Sequence, residues 1–181
     1  AVGFHLYTRL LADAVRRIRV DSPKTEVVPI TQISTELSIP VNVDLPIPTG
    51  IPASYVADKN MRLHLYRRMA EIHSIAEVQA LSTEFEDRFG PLPLELNNLI
   101  YQLTVKINAH QVGLASISNE NGQLVFRFPF DQVPNDLPNL SPTVRVGKTA
   151  LWMPYQQLEN WRDEILRIIE ELSAFQTNQY G

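Results

Sequence analysis

The 181-residue sequence contains no cysteine, which excludes disulfide bonds, thiolate nucleophiles and cysteine-ligated metal sites. It has no apolar run long enough to cross a bilayer, and no signal-peptide pattern opens it. It also lacks a basic excess, because 16 lysines and arginines stand against 20 acidic residues, giving a net charge of −4. That balance argues against a general nucleic-acid-binding protein. We expect a cytoplasmic protein with no membrane contact, since a reducing compartment is compatible with the absence of cysteine.

Hydrophobic residues make up 44% of the chain and charged residues 20%, which are ordinary proportions for a globular protein. The length suits one sizeable domain with a smaller appendage. The chain opens without methionine and enters a helical pattern over 4–19, so we expect it to be part of a longer protein. The periodicity fades over 21–36, where Pro23 and Pro29 indicate a linker.

The first half of the remaining sequence is mostly helical in pattern. A proline-flanked alternation over 39–48 predicts a strand at a sheet edge, or an extended arm. Asp58 is a suitable N-cap for the helix that follows. Ser74 and Glu77 form a capping-box pattern at the start of a second helix, which Gly90 ends by supplying a left-handed residue. A third helix follows.

The second half is richer in strand patterns. Apolar stretches on both sides of 119–122 predict a β-hairpin, and 144–146 with 149–153 predict another strand pair turning at Gly147-Lys148. A last helix is predicted over 156–175. Because helices and strands occur in blocks, we predict an α+β fold. Its helical N-terminal half would pack with a small, mostly antiparallel sheet, and a C-terminal helix would follow.

No motif indicates catalysis. The four histidines lie on different predicted helices, and none has a metal-binding spacing such as H-E-x-x-H. Gly147-Lys148-Thr149 resembles the end of a phosphate-binding P-loop, but the first glycine of that motif would fall at Pro142, which has no N–H to donate. A G-x-S-x-G nucleophile elbow is missing too. We therefore predict no catalytic residue, no metal site, no cofactor and no enzymatic activity.

The stretch STEFEDRFGPLP concentrates acids and phenylalanines at the end of the second predicted helix. On a wheel of about 100° per residue, Glu84 and Asp87 share a flank with Glu77, while Phe85 and Phe89 face away. A solvated flank suits pairing with lysines or arginines better than acid–base catalysis, which needs a cleft and perturbed pKa values. The residues alone leave two interpretations open: a merely solvated surface, or a docking face for a basic partner.

Three motifs, VGFHLYTRLLADAV, VNVDLPIPTGIPASYVADKNMRLHLYRRMAEI and FEDRFGPLP, occur in this order. The first resembles the segment that follows the RecG-like translocase motor in the bacterial transcription-repair coupling factors, the Mfd family. The other two resemble the start of that family's C-terminal domain. The resemblance covers much of 1–113 and continues more weakly as a pattern through the hairpin and last helix. It implies that 1–38 are the terminal helix and linker of the upstream motor module, and that 39–181 are the C-terminal regulatory domain.

The resemblance also implies a function. In this family the C-terminal domain docks on the UvrB-like N-terminal module, masks the surface that recruits UvrA, and represses the protein until it engages stalled RNA polymerase. ATP binding and DNA translocation belong to the motor. The docking acids lie in the pattern E-x-x-D-R-F-G, which places that role on Glu84 and Asp87, with Phe85, Phe89 and Gly90 supporting the helix.

Two departures from the family pattern stand out. Glu86 adds an acid where the family more often has an apolar residue, and the proline-rich 130–142 aligns with nothing, which leaves its role open.

Two other functions compete with the one that the family resemblance implies. A small hydrolase or NTPase has the least support and would depend on Lys148. The main alternative function is a nucleic-acid-binding accessory module, although its candidate arginines form separate helix faces. They are Arg16, Arg17, Arg19, Arg62, Arg67 and Arg68.

Overall fold

The computed structural model describes residues 41–135, 137 and 140–179, with only the helical backbone described over 175–179. The predicted helix over 4–19, the predicted linker over 21–36 and the whole segment assigned to the upstream motor lie outside the described residues.

Helices and strands occur in blocks along the described chain, and the α+β fold class is confirmed. The helices are α1 (Lys59–Ala70), α2 (Ile75–Phe89), α3 (Leu94–Gln111) and α4 (Trp161–Gln179). The strands are β1 (Asn42–Asp44), β2 (Ser116–Glu120), β3 (Gln123–Arg127), β4 (Arg145–Val146) and β5 (Leu151–Met153). Two short 3-10 turns lie at Pro129–Asp131 and Tyr155–Gln157. In the described part of the chain, no helix combines the length and apolar character needed to cross a lipid bilayer.

The five strands form one sheet in the order β1-β2-β3-β5-β4. Strand β1 lies at one edge, as predicted, and pairs in parallel with β2, with Val43 opposite Ile117. The other three pairings are antiparallel, so the mostly antiparallel sheet is confirmed. The side chain of Gln102 on α3 donates to the Val43 carbonyl at 2.6 Å, which ties β1 to that helix.

The β4–β5 hairpin turns one residue later than predicted. The N–H of Gly147 donates to the carbonyl of Ala150 at 3.0 Å, so these two residues close the hairpin just beyond the strands and Lys148 and Thr149 lie between them. A Cβ on Gly147 would lie 2.3 Å from the ring of Trp152, which is closer than any real Cβ contact. The glycine is therefore required by a neighbouring side chain rather than by the turn. The β2–β3 hairpin has its two-residue turn within the predicted segment.

The last helix begins later than predicted, at Trp161 instead of near 156. Tyr155–Gln157 forms a 3-10 turn, and the N–H of Leu158 caps it by donating to the Tyr155 carbonyl at 3.1 Å. The periodicity that predicted the helix is nevertheless correct. Among its described side chains, Ile165, Ile168, Ile169 and Leu172 are buried.

The described residues divide into two compact units, and the division falls within α2 and α3. The first consists of Ile47–Ile72 and Thr83–Leu99; the second consists of 41–46, His73–Ser82 and the described residues from Ile100 onward. The first unit buries a small core that includes Ile51, Val56, Leu65, Met69, Phe85, Leu96 and Leu99. The second buries the inner face of the sheet, including Val43, Ile117, Leu124, Phe126, Leu151 and Met153.

Candidate docking site

Helix α2, which carries the predicted docking acids, begins with the predicted capping box. The N–H of Glu77 donates to the Ser74 hydroxyl at 3.3 Å. In return the Glu77 carboxylate accepts from the N–H groups of His73 and Ser74, both at 2.9 Å. The bond from His73, followed by those from Ser74, lowers the pKa of Glu77. This carboxylate holds the start of the helix together and is already engaged with its own backbone.

The end of α2 is fixed by an aromatic cluster within the first unit. Phe85 is only 1% exposed, and its ring lies with those of Tyr55 and Phe89 at centroid distances of 5.7–6.4 Å. The Tyr55 hydroxyl directs its proton toward the carbonyl oxygens of Gly90 at 2.7 Å and Phe85 at 3.0 Å. Gly90 has the expected left-handed backbone, with φ of 87°, and its N–H donates to the Glu86 carbonyl at 2.9 Å.

The cluster contains Phe85 and Phe89, ends at Gly90 and adds Tyr55 to them. That these residues support a docking helix stays a prediction. The single hydroxyl proton of Tyr55 is shared between the carbonyl oxygens of Gly90 and Phe85, the shorter distance being to Gly90, and this links the turn at Tyr55 to the end of α2. Burial raises the pKa of Tyr55, and the negative charge of Glu86 raises it further. Tyr55 escaped sequence analysis because it lies in a short turn with no hydrophobic period.

Glu84 is bound by two arginines of its own unit. Arg68 on α1 makes a two-pronged contact, with Nη2 at 2.6 Å from Oε2 and Nη1 at 2.8 Å from Oε1. Arg88, one turn further along α2, places Nη1 at 2.9 Å from Oε1. The hydrogen bonds from Arg68 and then Arg88 lower the pKa of Glu84 to about 2. We call these three residues the Arg68–Glu84–Arg88 triad.

Only one of the two arginine partners of Glu84 could be predicted from the sequence. The four-residue spacing of Glu84 and Arg88 on one helix is a recognised stabilising arrangement, so Arg88 could have been identified. Arg68 lies 16 residues from Glu84 and on another helix, so only the tertiary fold brings them together.

Asp87 differs from Glu84 in its surroundings. It is exposed on the last turns of α2, and no residue in the described ranges gives its carboxylate a hydrogen bond or ion pair. The two acids predicted to dock therefore have different states: Glu84 is held by two guanidinium groups, whereas the charge of Asp87 is directly available to a partner.

Two of the described arginines on the predicted basic faces bind groups of the same chain. Arg62 donates to the carbonyl oxygens of Val56 at 2.7 Å and Ala57 at 2.9 Å, and Arg68 belongs to the triad. Of the three arginines on α1, Arg67 alone has no hydrogen-bonded or ionic partner among the residues described. The other three candidate arginines lie outside those residues. Within the described part, then, no continuous basic stripe supports the nucleic-acid alternative.

The turn that resembles a P-loop does not have the local structure of one. Lys148 and Thr149 lie between two antiparallel strands and lead into β5, whereas a P-loop leads into a helix. Across the described ranges, no three histidine, aspartate or glutamate side chains come together to hold a metal ion.

The end of the proline-rich stretch 130–142 has a structural role that sequence analysis missed. The backbone N–H of Ser141 donates to the Glu171 carboxylate at 3.0 Å. Thr143 hydrogen-bonds through its hydroxyl to Glu164, which Arg167 also contacts at 2.8 Å. These contacts fasten the end of the stretch to α4.

Comparison with known proteins identifies the family. The profile of the TRCF domain matches residues 45–138, which is just over half of the chain. The chain belongs to the TRCF domain family. The resemblance to the C-terminal domain of the transcription-repair coupling factors is thereby confirmed. The assignment of 1–38 to the upstream motor module stays a prediction.

Curated relatives of this TRCF domain are transcription-repair-coupling factors. It is 31% identical over 127 residues to that of Rickettsia prowazekii, covering 70% of this chain and 10% of that protein. It is 31% identical over 147 residues to that of Myxococcus xanthus, covering 81% and 11%. For Bacillus subtilis the identity is 32% over 111 residues, covering 61% and 8%. The TRCF domain thus spans about a tenth of the length of these relatives.

A solved structure has the same fold. The crystal structure of a C-terminal domain of transcription-repair coupling factor matches with a TM-score of 0.64, covering 77% of this chain and 95% of that chain. The sequence identity over this match is 18%, so the comparison concerns the fold alone.

Proposed function

We propose that this TRCF domain is a non-catalytic regulatory domain of a transcription-repair coupling factor. It docks on the UvrB-like N-terminal module of the same polypeptide, masks the surface that binds UvrA, and keeps the protein repressed until it engages stalled RNA polymerase. The parent protein would act in the cytoplasm, where its motor would supply ATP hydrolysis and the grip on DNA. We also propose that 1–38 belong to that motor module and 39–181 to the regulatory domain.

The observation that carries the proposal is the exposed carboxylate of Asp87 on a helix whose end is held in place. The aromatic cluster of Tyr55, Phe85 and Phe89 holds that helix end, so the backbone that carries Asp87 is held in place. A polar contact of this kind is reversible, since exposed ion pairs contribute only about 0.2–1 kcal/mol each and are screened by salt. Such a contact suits a repressed state that stronger partner contacts can outcompete.

The docking assignment is tested by titrating this chain against the separately purified UvrB-like module of the same protein at low salt. We expect Asp87→Arg to weaken binding and Glu84→Arg with Asp87→Arg to weaken it further, with circular dichroism unchanged. Glu170→Arg on α4 is the matched control, because Glu170 is exposed and has no partner among the described residues. If the double reversal binds as tightly as this control, the assignment is wrong.

The masking part of the proposal requires the full-length parent. We expect the same double reversal in that protein to increase capture of UvrA, because the domain would no longer cover the recruiting surface. Unchanged UvrA capture, together with weakened docking, would separate the contact from the repression and refute the masking role.

A further inference from the structure

The Arg68–Glu84–Arg88 triad lies at the proposed docking site, and the proposed function does not account for it. Its side chains remain accessible to water: Glu84 is 31% exposed, Arg68 44% and Arg88 45%. A partner can therefore reach the carboxylate, but two cations of the domain's own surface already occupy it.

We infer that Arg68 and Arg88 set the strength of docking by competing with the partner's cations for the carboxylate of Glu84. The inference rests on the proposed function and assigns these arginines a regulatory role within that same site. The two arginines would lower the affinity of docking and so keep it reversible. Asp87 would bind a partner cation without competition from a described residue of the domain.

The hydrogen-bonding capacity of the carboxylate supports this competition. Two oxygens offer about four acceptor sites, and the triad fills three of them: two on Oε1 and one on Oε2. An incoming arginine cannot form its own two-pronged contact unless Arg68 or Arg88 gives up its bond to Oε1. A third cation at the same carboxylate would also meet the charge of the two already there.

Asp87 provides the contrast. It lies one helical turn from Glu84, and no described residue pairs with its carboxylate. A partner cation therefore reaches Asp87 without displacing an existing ion pair. The two acids should contribute unequally, with Asp87 dominant in the wild-type chain and Glu84 gaining weight when its arginines are removed.

A purely structural role for the triad, tying α1 to α2 inside the first unit, makes a different prediction. Removing Arg68 would then lower the stability of the domain and leave its affinity for the partner unchanged. The two explanations can be separated by measuring affinity rather than folding.

The test is isothermal titration of the chain with the UvrB-like module at low salt, comparing Arg68→Gln with Arg67→Gln. Both substitutions remove one positive charge from neighbouring exposed positions on α1, but only Arg68 contacts Glu84. We expect Arg68→Gln to tighten binding by about 1.4- to 5-fold relative to Arg67→Gln, the value of one exposed ion pair. In a Glu84→Gln background the same Arg68→Gln change should have no effect beyond that of the control.

A second measurement reports on the triad independently of any partner. The side-chain carboxyl resonance of Glu84, followed by NMR in the chain alone, should titrate near pH 2 in the wild type. In Arg68→Gln with Arg88→Gln it should titrate close to the ordinary glutamate value of 4.5. A wild-type midpoint at that ordinary value would show that the triad does not form, and would overturn the inference.

The outcomes distinguish this inference from the function on which it rests. If the wild-type chain binds but Arg68→Gln and Arg67→Gln have equal affinity, competition is refuted and docking stands. If Arg68→Gln binds more weakly than its control, Arg68 itself contacts the partner and the inference is wrong. If the wild-type chain does not bind at low salt, the proposed function fails and the inference fails with it.

Discussion

The triad predicts a defined pH dependence of stability, which Glu84→Gln isolates. The folded-state pKa of Glu84 is lowered to about 2 by Arg68 and then Arg88, from an ordinary value of 4.5. A group whose pKa is lower in the folded state stabilises the fold above its unfolded pKa and loses that contribution as the pH falls. The contribution of Glu84 should be complete above about pH 5 and disappear between about pH 4.5 and pH 2.

The magnitude follows from the exposure of the partners. Lowering the pKa of Glu84 from 4.5 to about 2 would correspond to about 3.4 kcal/mol if it were fully expressed in stability. Arg68 and Arg88 are each more than a third exposed, however, and water screens both ion pairs. Exposed pairs contribute about 0.2–1 kcal/mol each, so two of them should amount to about 0.4–2 kcal/mol at neutral pH.

The assay is urea denaturation of the wild type and Glu84→Gln at a series of pH values from 7 down to 3. Glutamine resembles the protonated carboxyl, so the free energies of unfolding should differ at pH 7 and converge as the pH falls. Asp87→Asn is the control, because Asp87 has no partner among the described residues and its removal should leave the free energy of unfolding unchanged within about 0.5 kcal/mol. Equal stability of the wild type and Glu84→Gln at pH 7, or a difference that does not shrink with acid, would refute the reasoning.

Two further predictions concern packing, both measured by urea denaturation. Phe85→Ala should destabilise the chain by about 3–5 kcal/mol, because the ring is 1% exposed and its loss leaves a cavity beside Tyr55; a loss below about 1 kcal/mol would show that the aromatic cluster does not hold the end of α2. Gly147→Ala should cost about 1–3 kcal/mol, because its methyl group would collide with the ring of Trp152. Adding Trp152→Leu should remove most of the effect of Gly147→Ala, whereas an unchanged effect would place its cause in the backbone.

Features that depend on neighbouring residues were predictable from the sequence. The capping box of Ser74 and Glu77 joins groups three residues apart, so its sequence pattern was enough to predict it. The left-handed Gly90 was predictable for the same reason, because its backbone is set by the need to end a helix. The α+β class followed from the order of the elements, which is also a property of the chain read in sequence.

The position of the β4–β5 turn was harder to predict from the sequence. The apolar pattern predicted the β4–β5 pair but placed the turn at Gly147-Lys148, since a glycine in a short loop usually marks the turn itself. The N–H of Gly147 instead donates to Ala150 just beyond the strands, and the ring of Trp152 occupies the space that a side chain at 147 would need. The need for glycine at this position comes from a contact across two strands, and no local rule contains that information.

The sequence by itself determined which acids lie on the solvated side of α2 and which phenylalanines anchor it, because helical periodicity alone separates the two faces. Only the tertiary structure decided that Glu84 and Asp87 differ. Arg68 reaches Glu84 from a separate helix, 16 residues earlier in the chain, and the Tyr55 hydroxyl reaches Gly90 from 35 residues earlier. Such contacts depend on how the chain folds back on itself, so the charge available to a partner is a property of the fold and not of the motif.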